Sequence, residues 1–175
     1  RLSLTGLEAA SGIPGTLGGG VVMNAGAYGF ELKDVLESVR VLDREGKIKT
    51  IPADGLNMGY RYSRIPEMGY IVLEASLRLV MGDQDQIQTR MEELALQRRS
   101  KQPLEFPSAG STFKRPEGYF AGKLIDEAGL RGLRVGGAQV SEKHCGFVIN
   151  RGDATAEDVM ELCRQVQETV FYRFG

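Results

Sequence analysis

Leu73-Glu74-Ala75-Ser76-Leu77-Arg78-Leu79, with the run Asp85–Lys101 behind it, decides the fold class of this chain. Leu73, Ala75, Leu77 and Leu79 alternate with Glu74, Ser76 and Arg78, so an extended backbone would turn one apolar face to a core. From about Asp85 the period changes, and Ile87, Met91 and Leu94 recur at helical spacing. The helix closes in Arg98-Arg99-Ser100-Lys101, cations that suit the negative end of a helix dipole. Pro103 and Pro107 then break regular structure. Together they predict an α+β chain in two parts, residues 1–100 and 101–175.

The mixture continues on both sides. Val39 and Val41 alternate with Ser38 and Arg40 as a half-buried strand, Gly46 makes a turn, and Lys47–Ile51 returns as a second strand. Residues 1–30 form a glycine-rich loop and a short helix with Pro14 near its start. Downstream, Phe120–Ala128 has a helical pattern with Gly129 as its C-cap, and Phe147–Ile149 is a short apolar strand. Thr155, with Asp158 three residues on, matches a capping box. The helix it opens would bury Val159, Leu162, Cys163, Val166 and Val170. No internal repeat or low-complexity segment is present.

A hydrophobic share of 42% and a charged share of 26% are those of a soluble globular protein, and 175 residues suffice for a real core. Net charge is −1 without a block of like charge, so neither a nucleic acid nor a membrane surface is an expected partner. Two cysteines without close spacing and a single histidine argue against a disulfide scaffold or a metal site. No signal peptide or spanning segment is visible, which points to a reducing cytoplasm. Glycine is abundant, 23 of 175 residues, where about 7% is ordinary. That excess favours unusual backbone geometry and close approach to ligands.

Four segments carry candidate chemistry. In Ser108-Ala109-Gly110-Ser111-Thr112-Phe113-Lys114-Arg115-Pro116, a hydroxyl follows a glycine expected to allow close backbone approach, with two cations just downstream. Such a field favours negative charge, so Ser111 could yield a proton to a reacting carbon; an ordinary loop would look the same. Gly12-Ile13-Pro14-Gly15-Thr16-Leu17-Gly18-Gly19-Gly20 has the composition of a phosphate cradle, with backbone N–H groups and a helix N-terminus facing an anion. A tight structural turn is the alternative. It matches neither the Walker pattern, which Gly118–Lys123 also narrowly misses, nor the dinucleotide fingerprint. Tyr60-Arg61-Tyr62-Ser63-Arg64 sets a guanidinium between two phenols, where it could grip a carboxylate or stand solvated at a strand end. His144-Cys145 is a poor nucleophilic pair, because adjacent residues in extended backbone face opposite sides. His144 serves equally as a ligand contact or as a satisfied surface residue. Asp126-Glu127, beside Lys123, fits a solvated helix face better than an acid/base pair.

Taken in order, these segments resemble the UDP-N-acetylenolpyruvoylglucosamine reductase family, also called UDP-N-acetylmuramate dehydrogenases. The matching pieces are Ser11–Gly20, Met23–Gly29, Tyr60–Ser63, Pro107–Pro116, Ala121–Asp126, Gly136–Ser141 and Val148–Asn150, nearly the whole chain in register. The resemblance implies the second half of a vanillyl-alcohol-oxidase-like FAD-binding domain, followed by a small α+β substrate-binding domain. It implies an oxidoreductase of cell-wall precursor synthesis that uses NADPH and FAD to reduce UDP-N-acetylglucosamine enolpyruvate. A monomer in the cytoplasm is expected.

By the same resemblance, Ser111 is the proton donor and Arg61 neutralises the substrate carboxylate. Gly12, Ile13, Pro14, Gly15, Gly18 and Gly19 lie against FAD, and Tyr60, Lys101, Arg115 and His144 face the substrate or its diphosphate. Arg115 stands where some members have asparagine, and His144 where they have glutamine. The short stretch between Arg61 and Ser111 lacks room for a tyrosine-bearing loop, as in the shorter subclass. The family's first FAD half-domain and a catalytic glutamate expected just after Gly175 lie outside the sequence, so these residues alone are expected to be inactive. The alternatives are a non-catalytic nucleotide-sugar or phosphate-binding module and a different flavoprotein oxidase of the same superfamily.

Overall fold

The computed structural model describes residues 2–175. Along the chain run β1 (Leu4–Thr5), α1 (Leu17–Val22), β2 (Gly26–Ala27), β3 (Phe30–Glu31), β4 (Leu36–Leu42), β5 (Ile48–Pro52), α2 (Ile65–Met68), β6 (Ile71–Leu77), β7 (Val80–Met81) and α3 (Gln84–Lys101). They continue as β8 (Ser108–Ser111), α4 (Ala121–Glu127), β9 (Arg134–Val135), β10 (Ala138–Val140), β11 (Phe147–Asn150) and α5 (Ala156–Phe174). Two compact units divide between Leu96 and Gln97, inside α3 and before the break expected near residue 101. The last turn of α3 goes with the second unit because Lys143 Nζ donates to the Arg99 carbonyl at 2.8 Å. No helix among the described residues is long and apolar enough to cross a membrane.

In the first unit an antiparallel sheet of order β5-β4-β6 carries the core. Val39 and Val41 of β4 point inward and are fully buried, while Arg40 points outward and pairs with Glu74 at 2.6 Å. Val21, Leu32, Leu36, Leu56 and Ile65 complete the cluster. Each such side chain contributes about 1.5–3 kcal/mol on burial. The strict alternation expected through Leu73 does not hold. Arg40 faces Glu74 and Val41 faces Val72, so Leu73 is an extra residue in a bulge. The bulge moves the inward face by one, so Val72 packs on the core and Leu73 is 45% exposed.

The second unit is an antiparallel sheet of order β8-β11-β10-β9 with α4 and α5 packed on it. Ile125 and Ala128 meet Ala138, Val140, Val148, Leu162 and Val166 in its core. The capping box at Thr155 is present: Asp158 N donates to Thr155 Oγ1 at 3.1 Å, and Thr155 N donates to Asp158 Oδ2 at 3.0 Å. Asp158 Oδ2 also accepts from Gly137 N at 3.2 Å, which ties α5 to the β9–β10 turn. Those backbone donors, Thr155 first and then Gly137, hold the Asp158 carboxyl below its usual range.

Candidate functional site

The glycine segment builds an open cavity of about 380 Å³ in the first unit. Ile13, Pro14, Gly15, Leu17, Gly19 and Met23 line it, whereas Gly12 and Gly18 do not. Gly12, at φ +77°, makes a turn, and Gly18 sits over Val72 of β6. Gly15, at φ +124°, has open space where a Cβ would stand. The expected helix N-terminus for an anion is not what this segment offers. α1 has only six residues; Thr16 Oγ1 already accepts from Gly19 N at 3.1 Å, and Thr16 O accepts from Gly20 N. The walls are mostly apolar and suit a flat ring system better than a phosphate.

Tyr60 and Arg61 occupy the tip of a turn closed by mutual backbone hydrogen bonds between Gly59 and Tyr62, at 3.0 and 3.1 Å. Arg61 takes φ +53°, uncommon for a long side chain, and its guanidinium stands 5.3 Å from the Tyr60 ring centroid. Arg61 Nη2 donates to the Gly26 carbonyl at 2.9 Å, which fixes one edge of the fork. Tyr62 faces Glu67 instead, at 2.7 Å, so Arg61 is not held between two phenols as the sequence suggests.

In the second unit Ser111 ends β8, an edge strand, and is exposed. Phe147 pairs with Ser111, but Ile149 pairs with Ser108, so β8 carries an extra residue at Ala109-Gly110. Gly110 adopts φ +72° with nothing within 4 Å of a Cβ position. Its left-handed backbone sets the direction of the strand and leaves the space beside it open. The bulge aims Ser111.

His144 stands across Gly146 from this serine. A Cβ on Gly146 would lie 3.0 Å from His144 Cε1 and 3.6 Å from Ser111 Oγ. His144 Nδ1 accepts from Gly146 N at 3.1 Å, so in the neutral ring Nε2 carries the proton. Ser141 Oγ accepts from Lys143 N and His144 N, and the ring meets Phe147 edge-on at 5.0 Å. Lys101 ends α3 and is exposed, and the Arg115 guanidinium lies 4.9 Å from the Phe120 ring centroid.

The remaining candidates are structural. Burial pushes the Cys145 thiol up, away from nucleophilic use. Asp126 is clamped by Arg131 at 2.6 Å, which holds its carboxyl low, and Glu127 pairs with Lys123 at 3.6 Å. The second unit also holds an apolar groove of about 820 Å³, lined by Phe113, Tyr119, Leu124, Val166, Phe171 and Phe174. None of the proposed catalytic groups lines it.

Residues 102–175 match the family described as UDP-N-acetylenolpyruvoylglucosamine reductase, C-terminal domain, and residues 2–52 match an FAD binding domain. The UDP-N-acetylenolpyruvoylglucosamine reductase of Agathobacter rectalis is 63% identical over 173 residues, 99% of this chain and 55% of that protein. This chain is similar to UDP-N-acetylenolpyruvoylglucosamine reductases over nearly all of its length. The reductase of Clostridioides difficile is 57% identical over 175 residues, all of this chain and 58% of that protein. In three dimensions the chain is similar to the UDP-N-acetylenolpyruvylglucosamine reductase of Thermus caldophilus, with a TM-score of 0.87 at 44% identity, over 95% of this chain and 61% of that one. The chain thus spans little more than half the length of the curated reductases it matches.

Three residues beside the candidate groups of the two units carry no role in the sequence reading. Asn24 and Ser63 are buried beside the Arg61 turn, and Gly146 separates His144 from Ser111. Asn24 was visible only as a match in the Met23–Gly29 segment, because Gly59, whose carbonyl it holds, lies 35 residues away.

Proposed function

We propose that this chain carries flavin-facing and substrate-facing residues of an NADPH-dependent reductase. Its substrate is UDP-N-acetylglucosamine enolpyruvate, and its product is UDP-N-acetylmuramate, a cytoplasmic precursor of peptidoglycan made by a monomeric enzyme. The observation that carries this is 63% identity, over 99% of the chain, to a protein named for that reaction. The match of residues 2–52 to an FAD binding domain weighs against a phosphate-binding module without flavin.

The glycine cavity fits FAD: Ile13, Pro14, Leu17 and Met23 offer apolar walls, and Gly15 leaves the backbone bare where a side chain would obstruct a ring. When bound, FAD reduced by NADPH supplies the hydride taken up by the terminal methylene carbon of the enolpyruvyl group. The neighbouring carbon then carries charge that spreads toward the carboxylate. Arg61 would pair with that carboxylate through the part of its fork not given to Gly26. Ser111 Oγ would give its proton to the charged carbon, and the cations Lys114 and Arg115 downstream in the same segment would favour the alkoxide left behind. Tyr60, Lys101, Arg115 and His144 would hold the rest of the substrate and its diphosphate; His144 offers Nε2–H as a donor.

Protein produced at the full length of its relatives should purify yellow, and a folded, colourless product would overturn the proposal. In that protein Ser111→Ala should leave flavin bleaching by NADPH unchanged. Recovery of flavin absorbance on adding substrate should slow about 10²–10⁴-fold. Recovery at the normal rate removes Ser111 as the proton donor.

A further inference from the structure

We propose that Asn24 is a positioning residue for Arg61, acting through the Gly59–Tyr62 turn. Asn24 lies between α1 and β2 at φ +42° and is 0% exposed. Asn24 Nδ2 donates to the Gly59 carbonyl at 2.9 Å and to Glu31 Oε2 at 3.1 Å, while Oδ1 accepts from Lys33 N at 2.9 Å. These partners leave one orientation of the amide, since the acceptor must face the Lys33 N–H and the donors must face two oxygens. Lys33, 2.5 Å from Glu31, holds that carboxyl below its usual range, and so keeps it an acceptor.

The turn that carries Arg61 is joined to the segment Val22–Gly26 at three points. Ser63 Oγ donates to the Val22 carbonyl at 2.7 Å, Asn24 holds Gly59, and Arg61 itself reaches Gly26. Of the three, Asn24 alone grips the residue that opens the turn, and it does so with no water to compete. A strained φ at Arg61 persists only where the surroundings over-determine it, and Asn24 supplies that constraint. Through it, the chain leaving the glycine segment sets the direction of a guanidinium 35 residues beyond Gly26.

This role presumes that Arg61 takes the carboxylate as proposed above, and two measurements separate the ideas. Both use the flavin-loaded protein at the length of its relatives. Asn24→Asp keeps the shape and the acceptor for Lys33 but removes both donors. Asn24→Gly suits the left-handed backbone and removes the whole amide, and it replaces Asn24→Asp if that variant does not fold. Amide hydrogen exchange at Gly59–Ser63 should rise at least ~10-fold, with Val39 and Val41 unchanged. The value of kcat/KM should fall ~10-fold beside an intact Arg61 and less than ~2-fold in an Arg61→Ala background. Unchanged exchange, or an equal loss in both backgrounds, overturns the positioning role. If Arg61→Ala itself leaves kcat/KM unaltered, the carboxylate role falls, and exchange at Gly59–Ser63 still decides whether Asn24 holds the turn.

Discussion

Arg61 sits at φ +53° in a turn anchored by buried side chains, whereas Ser111 sits on an exposed edge strand shaped by Gly110 at φ +72°. In the first unit several left-handed positions, Asn24, Asn57 and Arg61 among them, are not glycines, and around Arg61 the geometry is held by side-chain hydrogen bonds from Asn24 and Ser63. In the second unit, glycines hold it. Gly110 permits the bulge, Gly146 keeps a gap between His144 and Ser111, and Gly136-Gly137 lets the β9–β10 turn press on the start of α5. The first arrangement should fail when a side chain loses a polar atom, and the second when a backbone gains a methyl group.

Gly137→Ala should produce the largest loss. A Cβ there would overlap the Gly152 carbonyl oxygen and the Ala154 nitrogen, both backbone atoms that cannot swing aside. Urea unfolding should show a loss of more than about 3 kcal/mol. A loss under about 1 kcal/mol would mean that the 152–154 loop yields, and close backbone packing would not be what fixes this unit.

Ser63→Ala tests the other arm with a smaller expected effect. Ser63 is 2% exposed, and losing its hydroxyl strips the Val22 carbonyl of that donor. Stability should drop by about 1–3 kcal/mol, with faster amide exchange confined to the Arg61 turn. If exchange rises uniformly, the turn is not anchored by this bond.

The smallest effect concerns α5, where surface ion pairs add to what the glycines do. Arg164, and after it Gln165, hold the Glu161 carboxyl down to about 2 from 4.5. A depressed folded-state value contributes stability that is complete above pH 4.5 and fades as pH falls toward about 2. Glu161→Gln should therefore flatten the acid side of the stability curve and leave it unchanged near neutrality apart from the lost pair. An equally steep acid loss in Glu161→Gln would assign it to other carboxylates.

Much of the fold was legible because periodicity is local. Val39 and Val41, the helical spacing of Ile87, Met91 and Leu94, and the Thr155–Asp158 capping box depend on neighbours within a few residues, and each element forms close to where its pattern lies. Leu73 shows the limit. Its alternation is unbroken in sequence, yet the bulge against β4 turns it outward, and a register shift leaves no trace in one strand's own composition. In the candidate site, Ser111, Arg61 and the glycine segment stood out by residue type and by resemblance. Asn24 and Ser63 fell inside matching segments but carried no role of their own, and Gly146 did not stand out at all, because a lone amide, hydroxyl or glycine has no periodic signal.

The sequence by itself determined the α+β class, the helices α3, α4 and α5, the last with its Thr155 capping box, and the segments where chemistry would be found. These follow from side-chain spacing and intrinsic backbone preference, which act over one or two turns of chain. Only the tertiary structure decided which glycines face a cavity and which serve a turn, that Gly110 redirects a strand, and that Asn24 holds Gly59 from 35 residues away. Those outcomes depend on hydrogen bonds and contacts between segments remote in sequence, and such partners exist only once the chain has folded.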